Sequence, residues 1–353
     1  MRVLIVDTCY PSFLRSHYAR YDGLAGRPYV EQWRALMGTF FGTADAYSHY
    51  LAALGHEAHE IVVNCALLQK AWARERRLEP AHREEILLAQ AREYEPDVVY
   101  VQNLHVLSDR VLAELKRSSR LLAGQISSKL PTDARLQAFD LLLTSSPHFV
   151  ERFRALGIDT EYFRIGFDPR VLHRLEAEDA PMECHGAVFV GALSWTHWRK
   201  ANAVLARAAR RAPIDFWGYG ARSRVPWSPI RRRYHGEAWG IDMFRILRGA
   251  RIGINRHGAV AEQYAANMRL FEATGVGTML LTDEKENLAE LFEPGREVVT
   301  YSNADDLVER ILHYLGNEDE RRAIARAGQE RSLRDHGYDM RMKELAAFLE
   351  ARL

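Results

Sequence analysis

Arg269 and Glu272 stand three residues apart in "NMRLFEATGVGTMLLTD" (Asn267 to Asp283), a stretch that otherwise reads as core. Leu270, Phe271, Ala273 and Val276 supply the apolar face of a short helix, Thr278 to Thr282 a buried strand, and Gly275 and Gly277 the turn between them. Charge placed in such a unit is costly unless it is paired or put to use. A carboxylate can accept both hydroxyls of a ribose, and hydrogen bonds to a charged group are worth roughly 1.5–3 kcal/mol each. Arg199 and Lys200 sit near a helix start after "AVFVG", whose Gly191 closes a strand in a tight turn. Two cations beside the unpaired amides of a helix N-terminus suit a phosphate or diphosphate. Gly218, Tyr219 and Gly220 follow "IDFW", and the two glycines would let backbone approach a flat ligand closely. Asn255, Arg256 and His257 follow "RIGI", and Asn267 precedes Arg269 at the head of the next helix. A grip on a ribose and a grip on a diphosphate together describe a nucleoside diphosphate; carrying a sugar, that molecule is a glycosyl donor.

The elements that must position these residues follow a repeating plan. "RVLIVD" (Arg2 to Asp7), "HEIVVN" (His59 to Asn64), "PDVVYVQN" (Pro96 to Asn103), "RLLAGQI" (Arg120 to Ile126) and "DLLLTSS" (Asp140 to Ser146) read as strands with helical sequence between them. A helix is expected around Thr43 to Leu54, closed by Gly55. The pattern restarts with "AVFVG", "IDFWGYG", "ARIGIN", "TMLLT" and "REVVT", and the end of the chain is helical and charged. This alternation predicts an α/β chain of two doubly wound parallel sheets. Ligands of such sheets bind beyond the carboxyl ends of the strands.

Composition sets outer limits. The chain has 353 residues, 47% hydrophobic and 27% charged, which fits a soluble globular protein of two domains. A formal charge of +1 argues against a general nucleic-acid binder. No apolar run approaches the roughly 20 residues that span a bilayer. The N-terminus runs directly into a strand pattern, so no signal peptide is expected. Cys9, Cys65 and Cys184 are odd in number and far apart, which suits a reducing cytoplasm.

The second half also resembles a family. "FVGALSWTHWR", "YHGEAWGIDMFRILRGARIGINRHG", "NMRLFEATGVGTMLLTDEKENLAELFEPGREVVTYSNADDLVERI" and "RRAIARAGQERSLRDHGYDMRM" look like the bacterial glycosyltransferases of the spore-maturation CgeB type. The resemblance covers roughly Ala187 to Met342, and "FDLLLTSSPHFVERFRALGID" extends it into the first half. It implies the GT-B fold, two facing Rossmann-like domains with a cleft between them. The expected division is an acceptor-side domain at 1–168, a linker at 169–186, a nucleotide-sugar-binding domain at 187–335 and a closing helix at 336–353 that packs back toward the first domain. By the same resemblance Glu272 holds the donor ribose, and Arg199 and Lys200 hold the diphosphate. Retaining relatives carry a second glutamate eight residues earlier; here that position is Tyr264, with Glu262 two residues off. Asn267 and Arg269 are then the residues to test for the contact to the transferred sugar.

The expectation is a glycosyltransferase moving a sugar from a nucleotide-diphosphate donor, UDP by default, with retention favoured. No aspartate has another two positions away, so there is no DxD metal motif. Cations and helix termini would neutralise the leaving diphosphate, with no metal ion and no cofactor. "GHEAH" (Gly55 to His59) has two residues between its histidines where a zinc HExxH needs three, and it reads as structural. The first half should take the acceptor, whether glycan, lipid-linked sugar, protein or small molecule. Its strand ends offer Asp7 and His105 as base candidates, with Ser145 and Ser146 nearby in sequence. The stretch from Pro11 to Phe41, rich in aromatics and arginine, reads as a long loop, a lid or acceptor platform. Peripheral membrane contact stays compatible with this plan. A nucleotide-sugar epimerase of the same layout and a non-catalytic binding or coat protein are the rival readings. An NAD-dependent oxidoreductase is disfavoured because neither half carries a complete glycine fingerprint.

Overall fold

The computed structural model describes residues 1–78, 82–178, 183–194, 198–221 and 228–353, with Lys200 by its backbone alone. Met1–Arg164 together with Asp339–Leu353 form one compact unit, and Ile165–Tyr338 form another. The first unit is built on a six-stranded parallel sheet of β1 (Arg2–Asp7), β2 (Glu57–Val62), β3 (Val98–Val101), β4 (Leu121–Gln125), β5 (Leu141–Thr144) and β6 (Thr160–Tyr162), in the order β2-β1-β3-β4-β5-β6. Helices cover the sheet, so the interior positions of its central strands are apolar. Val3 to Val6 and Val98 to Val101 are each at most 1% exposed. The second unit carries five parallel strands, β7 (His185–Val190), β8 (Ile214–Trp217), β9 (Ala250–Ile254), β10 (Met279–Asp283) and β11 (Val299–Tyr301), in the order β11-β10-β9-β7-β8. Its core joins Phe189, Ile214, Phe216, Ile252, Met279 and Leu281.

Both strand orders reverse direction beside the first strand of their sheet, between β1 and β3 and between β7 and β9. Connections leave those two neighbours for opposite sides, which opens a crevice at their carboxyl ends. Asp7 and Asn103 therefore stand at one such point, and Gly191 and Asn255 to His257 at the other.

The stretch Pro11 to Phe41 departs from the long loop expected of it. It folds into helices Pro11–Arg20 and Tyr29–Met37 joined by a short 3₁₀ turn at Leu24–Gly26. Pro11 occupies the first turn of its helix, where no amide is needed. Phe13, His17, Leu24, Gln32, Leu36 and Met37 are buried. The apolar stripe is broken by buried His17 and Gln32, and this hid the helical period. The stretch expected as linker holds another helix, Arg170–Glu176, within the second unit. Arg245 of the helix Ile241–Gly249 pairs with Glu178, and Arg248 with Glu176 at 3.7 Å. At the end of the chain, helix Tyr338–Glu350 carries Met342, Leu345 and Leu349, all fully buried. Arg352 then bonds Glu161 at 2.7 Å, beside Asp159.

Candidate active site

In the second unit the ends of β7, β9 and β10 hold a connected set of charged and amide side chains. Asn255 follows β9 directly; its backbone N–H donates to Leu281 O (2.7 Å), and its carbonyl accepts the Tyr301 hydroxyl (2.7 Å). Its side-chain amide donates to Thr282 Oγ1 (3.0 Å) and to Asn267 Oδ1 (3.2 Å). Asn267 Nδ2 returns a bond to Asn255 Oδ1 (2.8 Å) and another to Arg256 O (3.0 Å). The expected donor residues Asn255 and Asn267 are thus brought together, but each satisfies the other. They form a clamp that fixes the loop after β9 to the turn before the helix Arg269–Gly275.

Arg256, to which the sequence reading gave no role of its own, is the most enclosed cation of this set. It is 7% exposed, and its Nη2 donates to Ala192 O (2.6 Å) and Asn202 Oδ1 (2.8 Å), crossing from β9 to the loop after β7. Its guanidinium carbon lies 4.6 Å from the centroid of Trp198 and 5.1 Å from that of Phe189. Rings on a cation offset part of its burial cost. Nε and Nη1 have no hydrogen-bond partner among the described residues. Burial pulls its pKa down to about 10, which still leaves it cationic at neutral pH. Its place in "INRHG", between Asn255 and His257 at the end of a strand, was the available signal.

His257 is held by Asp283, the last residue of β10 and a second omission. The His257 Nδ1 lies 2.7 Å from Asp283 Oδ1, and the His257 backbone N–H donates to the same oxygen at 3.0 Å. Burial pushes the Asp283 carboxyl up, but the His257 bonds and Lys285 at 3.5 Å outweigh it and hold the group below its ordinary range. The His257 side chain is fully buried, and its Nε2 has no partner among the described residues.

Arg269 and Glu272 pair at 2.9 Å within the first turn of their helix, with side chains 15% and 9% exposed. Arg269 also reaches Met243 Sδ at 3.0 Å. Burial raises the Glu272 pKa and the Arg269 charge opposes the rise. The pair satisfies the two charges in this apolar unit.

The glycines of "WGYG" have a different role from the one their type suggested. Gly218 has φ +139°, and a Cβ there would lie 1.7 Å from Gly191 O. Gly220 has φ +83°, and a Cβ there would lie 2.9 Å from Ser194 N. The close approach they permit is to the chain's own loop after β7, which is packed against this turn; no room for a ligand is implied. Gly191 N–H donates to Trp217 O (3.0 Å), and Leu193 N–H to Tyr219 O (2.8 Å). The Tyr219 ring stacks on Trp239 with centroids 5.8 Å apart. Arg199 is exposed at the first position of the helix Arg199–Ala208. Lys200 follows it, its side chain outside the described residues, as are Trp195 to His197.

At the switch point of the first unit, Asp7 ends β1 and burial pushes its carboxyl up to about 6, opposed by the Thr8 amide. Asn103 ties the strand ends together: its Nδ2 donates to Thr8 Oγ1 (2.8 Å) and its Oδ1 accepts the His105 N–H (3.1 Å). His105 is exposed and its Nε2 lies 2.8 Å from Lys129 O. A carbonyl only accepts, so Nε2 carries the proton and Nδ1 is the basic nitrogen. Asp7 and His105 are thus linked through Thr8 and Asn103. Ser145 and Ser146 are buried and bonded to Ser127 and Thr144, which makes them part of the sheet's end. Among the described residues no group of three or more His, Cys, Asp or Glu side chains could hold a metal ion.

Comparison with known proteins supplies the context. Residues 173–347, which include every second-unit residue of this site, match the family described as glycosyl transferase-like. No curated protein matches the chain. Among solved structures, HepE of Anabaena in complex with UDP-glucose superimposes with a TM-score of 0.62 at 14% identity, over 99% of this chain and 100% of that one. Sucrose-phosphate synthase of Thermosynechococcus elongatus gives 0.61 at 13% identity, over 99% and 98%. A glycosyltransferase of Rickettsia africae gives 0.60 at 12% identity, also over 99% and 98%. The fold is GT-B, with two Rossmann-like parallel-sheet units, and no described helix is long and apolar enough to cross a membrane.

Proposed function

We propose that this enzyme, a glycosyltransferase of the GT-B fold, takes its sugar from a UDP-sugar through the second unit and passes it to an acceptor bound by the first. The observation that carries the reading is the buried Glu272 carboxylate, paired with Arg269 and standing beside the strand ends that hold Arg256. In this reading Glu272 accepts the ribose hydroxyls, and their hydrogen bonds to the ionised form offset the burial that raises its pKa. Arg199, Lys200 and the amides of their helix N-terminus hold the diphosphate, with the Arg256 charge behind them. His257, fixed by Asp283, lies beside the sugar. The CgeB-type pattern read in the sequence supports these roles, and the UDP and UDP-glucose complexes of HepE support the donor. Charge developing on the leaving diphosphate is neutralised by these cations without a metal ion or a cofactor.

The reaction breaks the bond between the sugar C1 and the diphosphate oxygen and forms one from C1 to the acceptor oxygen. In the retaining course the acceptor proton passes to the leaving diphosphate. A second course, with inversion, is favoured by one observation: an Asp7 carboxyl raised to about 6 is matched to accept that proton near neutral pH. Proton NMR of the fresh product distinguishes the two by its anomeric configuration.

Calorimetric titration of UDP-glucose into the protein tests the donor site. Glu272→Gln keeps an acceptor for Arg269 but removes the charge, and affinity is expected to fall by roughly ten- to a hundredfold. Unchanged affinity removes Glu272 from the donor site.

A further inference from the structure

The first unit has a cavity far from the strand ends proposed for the acceptor. It measures about 580 Å³ and opens at the edge strand β2, beside the first residues of β1 and β2. Its lining includes Arg2 and Glu57, whereas Asp7 lies at the other end of β1, roughly 16 Å of extended chain away. The volume lies in the usual small-molecule range of about 300–1,000 Å³.

Its walls are rings and planar polar groups. The His59 ring stacks on Trp33 with centroids 5.1 Å apart at 25°, and its Nε2 meets the Tyr29 hydroxyl at 3.1 Å. Trp72 and Tyr94 supply further rings, covered by the guanidinium groups of Arg76 at 4.2 Å and Arg2 at 5.0 Å. Each cation is matched by a carboxylate: Arg76 with Glu93, and Arg2 with Glu57 at 3.2 Å. Inside, Gln90 Oε1 and the Tyr94 hydroxyl are buried with no hydrogen-bond partner among the described residues. Buried polar groups are rarely left this way. "GHEAH", which matched no metal signature, supplies both His56 and His59 of this lining.

These features restrict the ligand. A phosphate or nucleotide would meet a carboxylate beside every cation, and a purely apolar molecule would leave the charged mouth and the two buried acceptors unpaired. A neutral ring with apolar C–H faces and peripheral hydroxyls suits both, because its faces pack on aromatic rings and its hydroxyls bond amide, carboxylate and guanidinium groups. We propose that this cavity is a carbohydrate-binding exosite that holds one pyranose unit of a glycan, separate from the transfer site. The lining alone carries this inference, so it stands or falls independently of the donor assignment.

Saturation-transfer NMR with the methyl glycosides of glucose, galactose, mannose and N-acetylglucosamine tests it on the full chain. Transfer to at least one glycoside is expected with the unaltered protein. Tyr94→Phe combined with Gln90→Met keeps the cavity's shape and should weaken that binding at least about fivefold. Ala52→Trp, at the exposed rim, should abolish it. The thermal shift produced by UDP should be the same in all three proteins. Absence of transfer from every glycoside, or transfer equal in the Ala52→Trp protein, overturns the exosite. So does a more stable Tyr94→Phe, Gln90→Met protein with no sugar signal, which would mark a water-filled packing defect. Loss of the UDP shift in the unaltered protein, with glycoside transfer intact, would remove the donor assignment and leave the exosite standing.

Discussion

Single buried ionisable groups are expected to set the pH dependence of this protein's stability. Glu60, in β2, is 2% exposed; its carboxyl accepts the Ser48 N–H at 2.8 Å and the Ser48 hydroxyl at 2.6 Å. Burial pushes its pKa up from the ordinary carboxylate range to about 7 against these bonds. In the unfolded chain the proton leaves near the ordinary value, whereas the folded chain keeps it until about 7. The folded state therefore binds the extra proton between those limits, and stability falls as pH rises across them. The full loss is about 3 kcal/mol at 1.36 kcal/mol per unit of pKa. Below both limits the group contributes nothing. Thermal unfolding followed from pH 4.5 to 8 should show this decline, and Glu60→Gln should flatten it and be the more stable protein at pH 8. A parallel decline in the variant would assign the effect to other groups, of which Asp7 is the first to examine.

At the scale of elements, the turn after β8 and the loop after β7 are one packed object. Gly218→Ala puts a methyl 1.7 Å from Gly191 O in a backbone region that side chains avoid, so the two segments must separate. A loss of about 3 kcal/mol or more is expected in denaturant unfolding, together with weakened UDP binding, because the loop after β7 leads to Arg199. Gly23 is the matched control. Its φ is +72° with open space around it, so Gly23→Ala should cost only about 1–2 kcal/mol of strain. Equal costs at both positions would show that conformation, and not the contact with Gly191, governs Gly218.

For the whole molecule, the division of labour between two sheets bears on the chemistry. The second unit holds its cations at strand ends and a helix start, and the proposed transfer relies on them to stabilise the departing UDP. Turnover of a UDP-sugar should therefore survive EDTA unchanged. Loss of activity that Mg²⁺ restores would contradict this mechanism. The last helix adds a structural condition. Asp339–Leu353 completes the first unit although the chain has by then traversed the second, so the first cannot close until the second has been made.

The sequence by itself determined the sheets. Short, mainly apolar runs that end at polar or glycine residues mark ten of the eleven strands, because a strand covered on both faces buries most of its side chains. Only the short β6 (Thr160–Tyr162), at the sheet's edge and partly polar, escaped notice. It also marked Glu272, Arg269, Asn255, His257 and Asp7, since a strand end or helix head in a parallel sheet is where ligands are met. Tertiary structure alone decided what each side chain does there. Asn255 and Asn267 are 12 residues apart and clamp each other; Gly218 and Gly220 serve a loop some 25 residues earlier; Arg256 reaches a carbonyl 64 residues back. Such partners meet only once strands lie side by side, and spacing along one chain carries no record of which neighbour they meet. The helices of Pro11 to Phe41 were hidden for the same reason, their buried faces including His17 and Gln32, whose surroundings only the folded chain provides.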